Sequence, residues 1–327
     1  MNDINYRSIF APYMNNFIGM KNACGYDALH IKSVLLEFDK FFVAEGVNEL
    51  YIKKIHIEKW RATRINDCEW TLYYKYSAWS QFCRYMCHIG IECYIPRMPK
   101  QPADSFTPYI YSHDQMIKIF QSCDELRIND RHLYSNIMVI PALIRLLYST
   151  GLRISEALSI KNADVDFTQG FICIKKTKNG EQRLAPLTES MTEVLKEYIV
   201  ARNKIPIQGI NHPNSLLFVS LRGKRCNGNI NYWFQKILKT CNIPFIGNHH
   251  GPRIHDLRHT CAVHSLIKMC EEGIDLYCAL PLLSTFIGHK SLHATEKYVR
   301  LTTEMYPNLI NQQQEICSFV FPTINNQ

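Results

Sequence analysis

From Tyr26 to Glu45 apolar side chains recur at helical spacing, at Leu29, Val34, Leu35, Phe38, Phe41 and Phe42, and Glu45-Gly46 ends the run. That period lines one face of an amphipathic helix. Two further helical patterns follow, Lys53 to Arg64 and Glu69 to Ile89, the second carrying Trp70, Tyr73, Tyr76, Trp79, Phe82, Tyr85 and Met86. Their polar faces hold Lys53, Lys54, Lys59, Arg61, Arg64 and Lys75, which predicts an all-helical domain over residues 1–95 with one basic side. Pro96, Pro99, Pro102 and Pro108 then make 96–108 too proline-rich for helix or central strand, so it reads as a linker.

Residues 109–327 predict a second domain, mostly helical with one small antiparallel sheet. Ser112 is placed to cap a short helix ending at Cys123, and Ser135 to Tyr148 reads as a buried helix interrupted near Pro141, before the break at Thr150-Gly151. Gly170 to Lys176 and Gln182 to Leu187 are strand-like runs on either side of Lys178-Asn179-Gly180, and an Asn-Gly between two such runs signals a hairpin. In the first run Phe171 and Cys173 are the expected inward residues and Ile172 and Ile174 the outward ones. Helical patterns recur at Glu189 to Asn203, Ile230 to Cys241, Asp256 to Cys270 and Leu280 to Ile287, with Leu216 to Ser220 as a short strand.

Charge narrows the classes of partner. Lys plus Arg number 37 against 29 Asp plus Glu, a formal charge of +8, which favours polyanions and makes nucleic acid the first partner to consider. Thirteen cysteines, odd in number and scattered, read as reduced thiols, and the residues from Met1 to Phe10 show no basic region followed by an apolar core. Apolar stretches such as Ile137 to Tyr148 fall short of the roughly 20 residues that span a bilayer, so a cytoplasmic protein with no membrane partner is expected.

Taken singly, the residues that could carry chemistry are weak signals. Arg153, in Gly151-Leu152-Arg153-Ile154-Ser155-Glu156, could be a surface cation paired with Glu156. His255 and Arg258 lie three apart, on one face of a helix, and can converge on one anion. Gly288-His289 follows an apolar helix, and Tyr298 could be one packing tyrosine among 18. As an ordered set they say more: Arg153, then Lys178 in a hairpin turn, then His255 and Arg258, then His289, then Tyr298.

At these residues the chain resembles the tyrosine recombinases, the phage-integrase family, which share a fold with type IB topoisomerases. The resemblance runs from Phe106 to about Thr303, and the helical segment from Tyr26 to Ile89 looks like the family's core-binding domain. It implies an active site of Arg153, Lys178, His255, Arg258 and His289, with Tyr298 as nucleophile. It also implies a double-stranded DNA partner held in a clamp, a 3′-phosphotyrosyl intermediate, and integration, excision or transposition of a mobile element. A tetramer at synapsis follows from the same resemblance, coupled by the tail from Met305 to Gln327 through Phe319 and Phe321. An accessory directionality factor is a further expected partner. Between Arg258 and His289 the stretch Met269 to Cys278 lengthens the usual connection, as in integrases of transposons.

Elementary chemistry supports those roles independently. Charge building on the nonbridging oxygens of a phosphodiester is neutralised by two planar guanidiniums, Arg153 and Arg258. A tyrosine hydroxyl titrates near 10, so a base, here His255, is needed to take its proton, while His289 donates to the phosphate. Lys178, ahead of Lys176 two residues earlier, protonates the departing 5′ oxygen. No metal, cofactor or ATP enters this scheme. Lys53, Lys54, Arg61, Arg64, Arg222, Lys224 and Arg225 are the candidate phosphate contacts.

Competing readings are weaker on the same residues. Cys83, Cys87, His88 and Cys93 could supply a zinc site, but without a second paired cluster they read as thiols packed beside Trp79 and Tyr85. His249, His250, His259 and His264 add imidazoles near the His-x-x-Arg pair and could suggest a metallohydrolase, yet no His-Glu-x-x-His motif accompanies them. A catalytically silent DNA-binding accessory protein would have no reason to keep all six site residues. The short chain and the opening around Arg153 look more like a recombinase than a topoisomerase, leaving resolution of chromosome dimers as the alternative within the class.

Overall fold

The computed structural model describes residues 5–26, 28–103, 107–127, 136–175, 177, 180–226, 229–245, 251–289 and 291–305, with side chains to Leu301. The chain divides into two compact units, Met1–Ser105 and Phe106–Gln327. Lys176, Lys178 and Asn179 of the hairpin, His249 and His250, and Phe319 and Phe321 of the tail lie outside the described residues.

The first unit is four helices, α1 (Ala11–Ala23), α2 (Leu29–Ala44), α3 (Lys54–Ala62) and α4 (Glu69–His88). Three coincide with the hydrophobic patterns; α1 was not foreseen, and it starts at a proline that suits the first turn of a helix. Its entry is tied down by Asp39 of α2, a buried carboxylate that accepts from the backbone N–H of Arg7 and of Ser8, both at 2.8 Å. The core is aromatic: Phe38 stacks on Trp79 at 3.9 Å between ring centres, and Trp60 meets both edge-on. Cys83 is buried in that core, where desolvation pushes its thiol strongly up. Lys75, expected on a polar surface, is instead buried between Glu37 and Asp67, at 2.8 Å from each.

The second unit places α5 (His113–Asp124), α6 (Ile140–Thr150) and a short α7 (Ile154–Ala157) before the sheet of β1 (Val165–Asp166), β2 (Phe171–Ile174) and β3 (Arg183–Pro186). After it come α8 (Glu189–Arg202), α9 (Asn229–Thr240), α10 (Asp256–Glu271), α11 (Leu276–Ile287) and α12 (His293–Met305). Ser112 caps α5 in a reciprocal capping box with Gln115. Pro141 opens α6 rather than interrupting it, following a 3₁₀ turn at Ile137–Val139. Gly151 closes that helix in the left-handed conformation, φ 58°. The centre of the unit is α10, buried along most of its length and packed against α6, α11 and α12.

The sheet is antiparallel in the order β1-β2-β3, with Ile172 opposite Ala185 and Cys173 opposite Leu184. Its inward phase is opposite to the expected one: Ile172 and Ile174 are buried, while Phe171 and Cys173 are half-exposed. All four side chains are apolar, so alternation could not fix the phase. Leu216 to Ser220 makes only isolated bridges, Leu216 to Lys161 and Val219 to Arg225. The lengthened connection after Arg258 is mostly helical: α10 runs to Glu271, Gly273 turns the chain and Asp275 caps α11. Among the described residues no helix is long and apolar enough to cross a membrane.

The phase of β2 can be tested by truncation. Ile174→Ala should cost about 2–4 kcal/mol in urea unfolding and Cys173→Ala less than about 1; the reverse ranking would restore the phase expected from sequence.

Candidate active site

Two helix ends meet around the first turns of α10. Gly151 ends α6, Gly288 ends α11 in the left-handed conformation at φ 69°, and Arg258 bridges the two helix ends. One of its Nη atoms donates to the carbonyl of Gly151 and the other to that of Ile287 at 2.7 Å, supplying a cation where two helix C-termini leave carbonyls unpaired. The ends are in contact: a Cβ on Gly151 would lie 3.2 Å from Ile287 Cγ2 and 3.4 Å from Cys261 Sγ. Two residues beyond Gly151 the chain delivers Arg153, and directly after Gly288 it delivers His289, to the side of α10 that carries Arg258.

Arg153 precedes α7, and the Glu156 carboxylate accepts both from its backbone N–H at 3.0 Å and from its guanidinium at 2.7 Å. The pairing considered for a surface arginine therefore exists, but inside the site: Glu156 is 1% exposed and Arg153 20%. Sequence reasoning left Arg183 out. This arginine of β3 holds the other side of Glu156 at 3.3 Å and donates to the Phe286 carbonyl at 2.6 Å. A Cβ on Gly288 would come within 2.6 Å of the Arg183 side chain, so glycine is needed there for space as well as for its conformation. The signal for Arg183 was a charged residue sharing a strand face with buried Ala185.

Tyr298 of α12 is 1% exposed, packed with Ala262, Leu266, Leu283 and Ile287. Its hydroxyl pairs with Nδ1 of His259 at 2.9 Å, and its ring lies nearly parallel to that of His289, centres 6.0 Å apart and planes 12° apart. His289 in turn pairs through its own Nδ1 with the buried Thr295 hydroxyl at 2.9 Å. His255 stands at the N-terminal end of α10 and meets the His259 ring edge-on at 5.0 Å. Lys297 sits over the Tyr298 ring, 5.6 Å from its centre. Five of the six residues expected from sequence are thus brought together, Lys178 being outside the described residues. The signal for His259 was its i, i+4 relation to His255, which puts both on one helix face.

The surroundings are cationic and dry. Burial, then the charges of Arg258, Arg253, Arg153 and Lys297, push His255 down to about 4. Burial with Arg258, Arg153, Lys297 and Arg183 pushes His289 down to about 4. Burial lowers Arg258 to about 10, where it remains protonated at neutral pH. The Tyr298 phenol is pushed up to about 12 by burial, which outweighs the opposing pull of Arg258. An arrangement of two guanidiniums, neutral imidazoles and a tyrosine in a pocket short of negative charge is suited to an anion such as a phosphodiester.

The remaining candidates differ in availability. Lys53 is paired with Glu49 at 2.6 Å, Lys54 with Glu58 at 3.4 Å and Arg64 with Glu37 at 2.8 Å, while Arg61 donates to the Arg64 carbonyl at 3.3 Å. Arg222, Lys224 and Arg225 stand exposed on a tight turn closed by the bond from Ser220 N–H to the Lys224 carbonyl. Arg225 also lines, with Ile154, Ser155 and Leu158, a cleft of about 470 Å³ beside α7. His264, one of the imidazoles considered for a metal, pairs with the Tyr148 hydroxyl at 2.8 Å and stacks on His113.

The model of the phage integrase family matches residues 110–305, more than half of the chain and the whole of this site. The chain belongs to the phage integrase family. It is a site-specific recombinase of the tyrosine type. Over 302 residues this integrase-family protein is 27% identical to the Sinorhizobium fredii protein y4rB, named as an integrase/recombinase, covering 91% of this chain and 95% of that one. It is 26% identical to the tyrosine recombinase XerC of Bacillus subtilis over 316 residues, 93% of this chain and 94% of that one. The crystal structure of the XerH site-specific recombinase bound to a palindromic difH substrate, a post-cleavage complex, has a similar fold, with a TM-score of 0.61 at 21% identity, covering 88% of this chain and 78% of that one.

Glu156 yields a pH prediction. Burial raises its carboxyl, but the hydrogen bonds from Arg153 and the charges of Arg153 and Arg183 together hold it below the usual value. A depressed folded-state value adds stability above the unfolded carboxyl's titration range, and that stability is lost as pH falls through the folded value. Glu156→Gln should therefore cost roughly 3 kcal/mol near neutrality, and the gap to wild type should narrow as pH falls below about 4. Urea unfolding at pH 7 and pH 3.5 measures it; a gap independent of pH would rule out the carboxylate charge as its source.

Proposed function

We propose that this recombinase cleaves and rejoins double-stranded DNA with Tyr298 as nucleophile, in the service of a mobile genetic element. The observation that carries the assignment of residues is the convergence of Arg153, Arg258, His255 and His289 around one buried tyrosine. Arg153 and Arg258 bind the nonbridging oxygens and neutralise the charge that develops on them. His289, whose Nδ1 is engaged by Thr295, has Nε2 left to donate to the phosphate. As the Tyr298 oxygen attacks phosphorus its proton turns away from the resting contact with His259 and passes to His255, and the 5′ oxygen leaves with a proton from Lys178. The 3′-phosphotyrosyl bond retains the energy of the phosphodiester, so a second 5′ hydroxyl restores the DNA backbone without ATP.

Synapsis in this reading joins four protomers, with the tail beyond Tyr306 packing into a neighbour, and a directionality factor can bias the outcome. Resolution of chromosome dimers is the second reading within the same class of recombinase. The trapped DNA distinguishes the two: ends of an element for the first, a single chromosomal site for the second.

Nicked suicide duplexes drawn from the element or locus encoding the protein, incubated in chelator, should give a denaturant-resistant protein–DNA adduct with wild type and none with Tyr298→Phe. Binding without any adduct would leave a catalytically silent DNA-binding protein. Replacing Arg222, Lys224 and Arg225 together by alanine should flatten the dependence of log affinity on log salt by about 2 to 3; an unchanged slope would remove all three from the footprint.

A further inference from the structure

We propose that His259 is the positioning residue for the nucleophile, its Nδ1 accepting the Tyr298 hydroxyl hydrogen and fixing where that oxygen stands before a phosphodiester enters. The proposal rests on Tyr298 being the nucleophile. Its basis is the 2.9 Å contact between two side chains that are both nearly inaccessible, His259 at 5% and Tyr298 at 1% exposure. A phenol buried to that degree needs an acceptor for its proton. Imidazole Nδ1 accepts only in the neutral ring with the proton on Nε2.

The neighbours keep the ring neutral: burial, then His255, Lys297, Arg258 and Arg253, all disfavour a second proton on His259 and push it down to about 2. An Arg258 guanidinium donating to the phenolic oxygen leaves the phenol its own proton to give, which suits the tautomer with Nδ1 as acceptor. The same helix face carries His255 one turn earlier, with the two rings at right angles. The ring of the phenol lies parallel to His289, and its oxygen meets His259 Nδ1 on one side and the Arg258 guanidinium on another. Without the His259 acceptor the direction of the O–H bond is no longer set, and a misplacement of about 1 Å can slow a reaction of this kind about a hundredfold.

The test compares three variants with wild type in single-turnover cleavage of the nicked suicide duplex that wild type traps. His259→Leu fills the space without an acceptor, His259→Asn keeps an oxygen near the place of Nδ1, and His259→Gln moves that oxygen outward by one carbon. The expected result is cleavage slowed about 10- to 100-fold at saturating DNA for the leucine and glutamine variants, with unchanged Kd, and recovery of most of the rate by asparagine. Equal rates in wild type and leucine variant would overturn the proposal, and so would equal slowing by asparagine and glutamine, which would mark His259 as packing alone. If the leucine variant fails to fold, the asparagine and glutamine pair decides. Tyr298→Phe is run alongside: an adduct with that variant would bring down the assignment of the nucleophile, whereas no adduct together with fast His259 variants would bring down the positioning role only.

Discussion

One guanidinium organises the second unit. Arg258 is 2% exposed, and a buried charge is tolerated only when it is paired or fully hydrogen-bonded. The partners it finds are carbonyls at the C-terminal ends of α6 and α11, where backbone acceptors lack intrahelical donors and where the helix dipoles favour a cation. The ends must converge to share it. Glycine at 151 allows their contact, and glycine at 288 gives room to Arg183. From this constraint follow the positions of Arg153, two residues after Gly151, and His289, the residue after Gly288.

Glu156 completes the arrangement. Three arginines, Arg153, Arg183 and Arg258, lie close enough to influence one another, and among the described residues Glu156 is the carboxylate that contacts two of them. It accepts from Arg153 on one side and Arg183 on the other, and Arg183 reaches on to the last turn of α11. The strand β3 of the hairpin and the helix end that carries His289 are therefore joined through a single side chain. Lost packing and lost charge at Arg183 would be felt at both.

Legibility in the sequence followed the range of the interaction. Caps, breaks and helical periods are local, so Ser112, Gly151, Gly288 and the patterns behind α2 to α4 and α8 to α11 could be read directly. The phase of β2 could not, because Phe171, Ile172, Cys173 and Ile174 are all apolar and only the packing of the sheet on the core chooses between faces. Helix α1 went unseen because its buried face, Met14, Phe17 and Ile18, is short and its entry is fixed by Asp39, about 30 residues away. The ordered set of Arg153, His255, Arg258, His289 and Tyr298 was legible as a set, and the structure brings its members together. The partner of the Tyr298 hydroxyl was not, since the contact with His259 spans 39 residues and arises only when α12 lies on α10.

The site is built with a deficit of negative charge. Arginines and Lys297 surround three imidazoles that burial and cationic neighbours keep neutral, and a phenol whose own value burial raises. The charged form of each histidine is disfavoured by burial first and then by the neighbouring cations. In the proposed mechanism a phosphodiester held by Arg153 and Arg258 reverses the sign of that influence: its negative charge screens the arginines and makes an imidazolium easier to form. His255 must then accept a proton as Tyr298 attacks, and the bound phosphate is what raises its basicity for that step. A protonation step that the substrate itself enables gives the buried tyrosine little tendency to react before the phosphate is in place.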